Sequence, residues 1–174
     1  MTLLDEYSRQ SLAIQVERQI TAAEVLGVLE QAMIQYGVPG YIRSDNGPEF
    51  IATKVQQWLH DSQIKAIYID PGSPWQNGYI ESFHRRFRDV CLSREMLLNL
   101  REARVVIADW RQHYNRERPH SRLGYLSPED FIQTKILAPA ELGQLLGPAQ
   151  HHIALRWRDR SAWSSPLTYG PRGS

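Results

Sequence analysis

Apolar and polar positions along the chain follow two different periods, and the period changes wherever turn residues cluster. Short apolar runs at residues 1–4 and 12–16 flank Asp5-Glu6-Tyr7-Ser8-Arg9, a pattern that predicts two strands joined by a turn. Thr21 and Glu24 stand at capping-box spacing, and Val25, Val28, Leu29, Ala32, Met33 and Tyr36 follow at helical intervals until Gly37 and Pro39 interrupt them. An amphipathic helix is expected there. Tyr41 and Ile42 predict a strand that delivers Asp45 at its end. Asn46-Gly47-Pro48 then forces a turn, Val55, Trp58 and Leu59 mark a helix, and Lys65 to Ile69 read as a further strand.

Asp70-Pro71-Gly72-Ser73-Pro74 is a loop by its chemistry, and Gln76-Asn77-Gly78 prolongs it to the next helix. In that helix Ile80, Phe83, Phe87, Val90 and Cys91 form an apolar stripe, while Asn77, Glu81, His84, Arg85 and Arg88 fall on a different face. A later helix is expected from Asn99, with Glu102 as its capping partner, through Val106, Trp110 and Tyr114 to a stop at Pro119. Ser127-Pro128-Glu129-Asp130 opens a short last helix. Residues 1–134 therefore read as one unit. Residues 135–174, rich in Pro, Gly and Ser, read as a poorly defined extension: either loosely ordered chain or sequence acquired by readthrough.

A length of 174 residues with 42% hydrophobic composition suits one domain with a real core. No apolar run approaches the roughly 18 residues that span a bilayer, and the beginning lacks a basic-then-apolar signal pattern, so cytoplasmic, nucleoid-associated residence without membrane contact is the expectation. Cys91 is the single cysteine, and its place in the apolar stripe favours a buried thiol. The net charge of +1 conceals an asymmetry: residues 1–81 hold 5 basic and 10 acidic side chains, whereas residues 82–122 hold 10 basic and 5 acidic. All of those later basic residues are arginine, the side chain suited to bidentate phosphate contact. The charge alone is equally compatible with a solvated helix surface.

Four motifs occur in order: Leu3-Leu4-Asp5-Glu6-Tyr7-Ser8-Arg9; Ser44-Asp45-Asn46-Gly47-Pro48-Glu49-Phe50; Pro74-Trp75-Gln76-Asn77-Gly78-Tyr79-Ile80-Glu81-Ser82-Phe83; and Tyr114-Asn115-Arg116-Glu117-Arg118-Pro119-His120 with Leu123-Gly124-Tyr125-Leu126-Ser127-Pro128. The chain thereby resembles the integrase-like catalytic core of insertion-sequence family three transposases, within the retroviral-integrase-like superfamily. The resemblance implies an α/β, ribonuclease-H-like fold, a mixed sheet flanked by helices. It also implies an Asp, Asp, Glu triad whose second and third members match Asp45 and Glu81. The first Asp belongs on a strand ahead of the segment that begins at Met1, so the expectation is a sheet lacking its first strand.

Each acid has an ordinary reading by itself. Asp45 before Asn-Gly is a turn former, and Glu81 is an i,i+4 partner for Arg85. Together, in these flanking sequences, they are expected to be catalytic and to bind Mg²⁺ or Mn²⁺, which take oxygen ligands. Asp5 is the nearest substitute for the missing acid, but it falls in the turn after its strand. Asn77, His84, Arg85, Arg88, Arg118 and His120 are the candidate DNA contacts. The six histidines show no zinc-ligand spacing with cysteine. The implied chemistry is metal-dependent DNA cleavage and strand transfer at transposon ends and target, by a homo-oligomer. With one acid absent this chain is expected to be weakly active or inactive, and a catalytically silent DNA-binding or assembly fragment is the alternative.

Overall fold

The computed structural model describes residues 1–70, 78–95, 97–137 and 152–156. Strands β1 (Thr2–Asp5) and β2 (Ser11–Ile14) form the expected antiparallel hairpin. Its turn is closed by Arg9 N–H on Asp5 O at 2.9 Å and by Ser8, whose N–H (2.9 Å) and hydroxyl both donate to the Asp5 carboxylate. Arg9 takes a left-handed φ of 62° to complete the turn, a conformation non-glycine residues adopt at some cost.

Helix α1 (Ala22–Tyr36) starts on the capping box: Glu24 N–H donates to Thr21 Oγ1 at 3.4 Å and Thr21 N–H to Glu24 Oε2 at 2.7 Å. It stops at Gly37, whose φ of 90° lets the chain turn away. Strand β3 (Tyr41–Ser44), helix α2 (Thr53–Asp61) and strand β4 (Lys65–Tyr68) follow as expected, with β3 and β4 parallel. Helix α3 (Gly78–Phe87) runs into a single π-helical turn, Arg88–Leu92, in which Ser93 N–H reaches Arg88 O at 2.9 Å. Helix α4 (Leu100–Arg116) is capped by Asn99, whose Oδ1 accepts from Glu102 N–H at 2.9 Å. Helix α5 (Pro128–Leu137) follows.

Leu3 and Leu4 show why the fold has three layers. Side chains of successive strand residues point to opposite faces, yet these two are 0% and 1% exposed, so helices must cover both faces. Leu3 packs with Val25 and Leu29 of α1 and Val55 and Leu59 of α2. Leu4 packs with Ile80 and Phe83 of α3 and Ile107 and Trp110 of α4. At about 2 kcal/mol per fully buried large apolar side chain, these two layers supply the main driving force for folding.

The centre of the sheet differs from the expectation of a missing strand. Strand β5 (His152–Arg156) lies between β1 and β3, giving the order β2-β1-β5-β3-β4. It is antiparallel to β1, with Leu4 opposite Ala154, and parallel to β3, with Arg43 opposite Ala154. The physical reason is backbone pairing: β1 and β3 each present a row of donors and acceptors that must find partners, and a five-residue strand serves both. That strand comes from the stretch that the composition set apart as an extension.

Candidate active site

Asp45 is the residue that follows β3, and it is half-buried. Its Oδ1 accepts from Gly47 N–H at 3.2 Å, and Asn46 Nδ2 donates to Ile69 O at 2.9 Å, tying the exit of β3 to the exit of β4. Phe50, 1% exposed, anchors the loop in the core, while its N–H and that of Ile51 bond Gly47 O at 2.9 and 3.1 Å. A β-carbon on Gly47 would stand 2.7 Å from Glu49 Oε1 and 3.2 Å from Asp45 Oδ1, so the Glu49 carboxylate would have to shift to admit one.

Glu81 lies in the first turn of α3 and is half-buried. The apolar stripe of α3 seats the helix against the aromatic layer, where Phe83 meets Trp110 edge-on at 5.5 Å and Tyr114 at 5.0 Å. Helix α3 also packs against β5, which is itself paired with β3. Both candidate carboxylates are thus carried by elements that touch the central strand. Among the described residues no group of three His, Cys, Asp or Glu side chains is gathered closely enough to hold a metal.

The candidate DNA contacts divide. Arg85 and Arg88 are exposed. His84, expected on the same polar face, is instead 7% exposed and its Nε2 lies 2.7 Å from Thr2 Oγ1. The helical wheel places it one position from Phe83, and the strand beneath offers a hydroxyl that satisfies an inward imidazole. Arg88 belongs to the π-helical turn, so its direction does not continue the 3.6-residue spacing from Glu81. Asn77 lies outside the described residues.

Arg118 and His120 sit in a basic cluster with two residues that sequence reasoning missed, Arg9 and Arg86. Burial first, then Arg118, Arg9 and Arg86, push His120 down from 6.5 to about 4. His120 meets the Tyr114 ring edge-on at 5.1 Å, and the Arg9 guanidinium lies 3.7 Å over the Tyr79 ring. Arg9 was hidden in a turn motif and Arg86 lay off the wheel face of Glu81. No local signal joins them; the packing of α3 and the loop after α4 onto the β1–β2 turn does.

Other titratable groups serve the scaffold. Asp5 is 1% exposed and accepts the Ser8 bonds that close its turn. Glu6 pairs with Arg43 at 3.4 Å and accepts from Tyr41 Oη at 2.9 Å; burial, then Glu6, push that phenol up to about 12. Cys91 is buried as expected, and burial followed by Glu95 pushes its thiol up to about 11, which suits packing rather than nucleophilic attack.

Two family models described as Integrase core domain match the chain, one over residues 1–74 and the other over residues 62–128. An insertion element IS476 uncharacterized 39.2 kDa protein of Xanthomonas euvesicatoria is 45% identical over 131 residues, 75% of this chain and 38% of that protein. The insertion element IS407 uncharacterized 31.7 kDa protein of Burkholderia multivorans is 40% identical over 131 residues, 75% of this chain and 47% of its own length. Transposase InsF for insertion sequence IS3A of Escherichia coli is 24% identical over 132 residues, 74% of this chain and 46% of that protein. The chain thus spans less than half the length of these relatives. Among solved structures, the catalytic core domain of BIV integrase superposes with a TM-score of 0.61 at 23% identity, covering 78% of this chain and 86% of that one. The HTLV-2 integrase catalytic core domain in complex with magnesium gives 0.51 at 19% identity, covering 74% and 81%. These likenesses concern the fold, which is ribonuclease-H-like. Among the described residues no helix is long and apolar enough to cross a membrane. The chain belongs to the integrase core domain family, and insertion-element transposases are among its relatives.

Proposed function

We propose that the chain is the catalytic-core portion of an insertion-element transposase, built for metal-dependent DNA cleavage and strand transfer on transposon ends and target DNA. The observation that carries this reading is that Asp45 follows β3 and Glu81 lies in the first turn of α3, two elements that both touch β5, in a chain of this family. The donor set fits Mg²⁺ or Mn²⁺ in kind: a small hard cation is held by one or two carboxylates and completed by waters and substrate phosphates. Asp45 and Glu81 would hold it. When bound, a divalent cation polarises a phosphodiester and lowers the pKa of an attacking water or 3′-hydroxyl.

The remaining work falls to the chain's own groups. Exposed Arg85 and Arg88, with Arg118 and His120, contact the DNA backbone, and the aromatic layer beneath α3 keeps Glu81 in place. Asn77 belongs to the same proposed contact set. No protein nucleophile is needed. Action as a homo-oligomer in the cytoplasm, on nucleoid DNA, belongs to this reading.

A second reading, a silent DNA-binding or assembly fragment, is favoured by one feature. The central strand His152-Ile153-Ala154-Leu155-Arg156 contributes no carboxylate, which leaves the ion few ligands. Purified protein incubated with Mn²⁺ and a labelled terminal-repeat duplex separates the two. Weak cleavage that Asp45→Asn abolishes supports the enzyme; retention of DNA without any cleavage supports the silent fragment.

A further inference from the structure

We propose that Arg9, Arg86, Arg118 and His120 together form a socket for one phosphate group, on a flank of α3 separate from Glu81. The inference rests, for its ligand class, on the reading of Arg118 and His120 as DNA-backbone contacts, and deepens it by giving them two partners and a single shared ligand.

The β1–β2 turn, α3 and the loop after α4 each supply part of the socket. Arg9 comes from the turn, where a φ of 62° and an N–H bond to Asp5 O at 2.9 Å fix its backbone. Its guanidinium lies 3.7 Å over the Tyr79 ring, which holds the fork against α3. Arg118 and His120 share the buried Tyr114 ring, at 5.5 Å and 5.1 Å. The His120 backbone is fixed as well: its N–H donates to Leu126 O at 3.0 Å, and its O accepts from Leu123 and Tyr125 N–H at 2.9 and 2.8 Å. Arg86 is the exposed arm. On a helix of 3.6 residues per turn it stands roughly 140° around α3 from Glu81, whereas Arg85 stands only about 40° away.

Inside this cluster Arg9 Nη1 and His120 Nε2 are both buried with no hydrogen-bond partner. Buried polar atoms normally have one, because desolvation without a bond is costly. Among the described residues arginine ion pairs form at Arg43, Arg104 and Arg116, and none of the socket's arginines meets a carboxylate. The positive charges act on one another instead. Burial, then Arg86, lower Arg118, while burial, then Arg118, Arg9 and Arg86, hold the His120 imidazole neutral. An anion among them relieves that repulsion, accepts from Arg9 Nη1, and accepts from His120 in its Nε2-protonated tautomer. A carboxylate is saturated by one bidentate arginine, whereas the tetrahedral oxygens of a phosphate accept from several guanidinium forks at once.

The test is titration of the full chain, free of divalent metal, with inorganic phosphate, followed by nuclear magnetic resonance of the His120 ring. A saturable shift is expected, with the imidazole pKa moving up from about 4 as the anion binds. Arg9→Gln and Arg86→Gln are each expected to weaken phosphate binding about tenfold, the scale of losing one charge-assisted hydrogen bond. Arg85→Gln is expected to leave it unchanged. Thermal unfolding checks that the variants are folded, and Arg86→Gln, exposed and away from the turn, decides the matter where Arg9→Gln is not. An unphosphorylated duplex and the same duplex with a 5′-phosphate separate the sources. Displacement of inorganic phosphate by both assigns an internal DNA phosphate, displacement by the second alone assigns a terminal one, and either result supports the socket. Displacement by neither, with inorganic phosphate still bound at His120, supports the socket and removes Arg118 and His120 from the DNA interface. No saturable shift, or a shift that Arg86→Gln leaves at wild-type affinity, would overturn the socket. Salt-sensitive DNA retention lost in Arg85→Ala with Arg88→Ala would in that case leave the DNA reading standing.

Discussion

Asn115 on α4 pairs with both backbone groups of Ser11 on the edge strand β2: Ser11 N–H donates to Asn115 Oδ1 at 2.8 Å, and Asn115 Nδ2 donates to Ser11 O at 3.0 Å. The side-chain amide therefore acts as one more strand residue. Arg111 extends the cover, donating to Ser11 O at 3.0 Å and Leu12 O at 2.8 Å, so the edge of the sheet is not left as a template for another chain. Asn115→Ala leaves the Ser11 N–H without its partner, while Ser11 O keeps Arg111, and is predicted to lower stability by about 1–3 kcal/mol. Urea unfolding measures it; a loss below about 0.5 kcal/mol would mean the pairing carries no weight.

His84 and Arg85 are neighbours with opposite predicted phenotypes. Losing the buried His84 bond to Thr2 is expected to cost about 1–3 kcal/mol of stability. The double variant Arg85→Ala with Arg88→Ala, both exposed, is expected to stay within about 0.5 kcal/mol of wild type. It should weaken DNA retention and make the log–log salt dependence shallower by about 2, as two phosphate contacts disappear. Filter binding across a salt series checks the slope. An unchanged slope would remove these arginines from the DNA interface.

Strand β5 can be tested through its backbone. In a central strand every N–H faces a partner, so Ala154→Pro removes a ladder bond beside Leu4 and Arg43. We predict a destabilisation on the order of 3 kcal/mol, with larger species on size-exclusion chromatography as β1 and β3 lose their shared partner. A variant that remains as stable and as small as wild type would place the strand outside the cooperative fold.

The basic cluster predicts a pH dependence. In the folded chain burial, with Arg118, Arg9 and Arg86 facing His120, holds its imidazole at about 4 against an ordinary 6.5. The unfolded chain therefore takes up a proton first. The stabilising contribution is complete above pH 6.5 and falls as pH drops from there toward 4. Nuclear magnetic resonance of the His120 ring should show no protonation at pH 5.5, and His120→Gln should flatten stability between pH 6.5 and 4. A ring that titrates near 6.5 would show that the cluster is open to water.

The helices and outer strands were legible along the chain because their determinants are local. Thr21 with Glu24, and Asn99 with Glu102, cap helices through bonds spanning three residues, and the stripe from Ile80 to Cys91 records one buried face. The Asp45 and Glu81 motifs were legible for the same reason: each is a short string of residue types demanded by a turn or a helix start. What only the tertiary structure decided depends on residues far apart. His-Ile-Ala-Leu-Arg carries no mark that it belongs between β1 and β3; that position is set by two rows of backbone donors and acceptors supplied from the other end of the chain. His84 turned inward because Thr2 lies beneath it, and Arg9 joined Arg86, Arg118 and His120 because separate segments pack together. Periodicity reports how much of a residue is buried, whereas the fold alone reports what it is buried against.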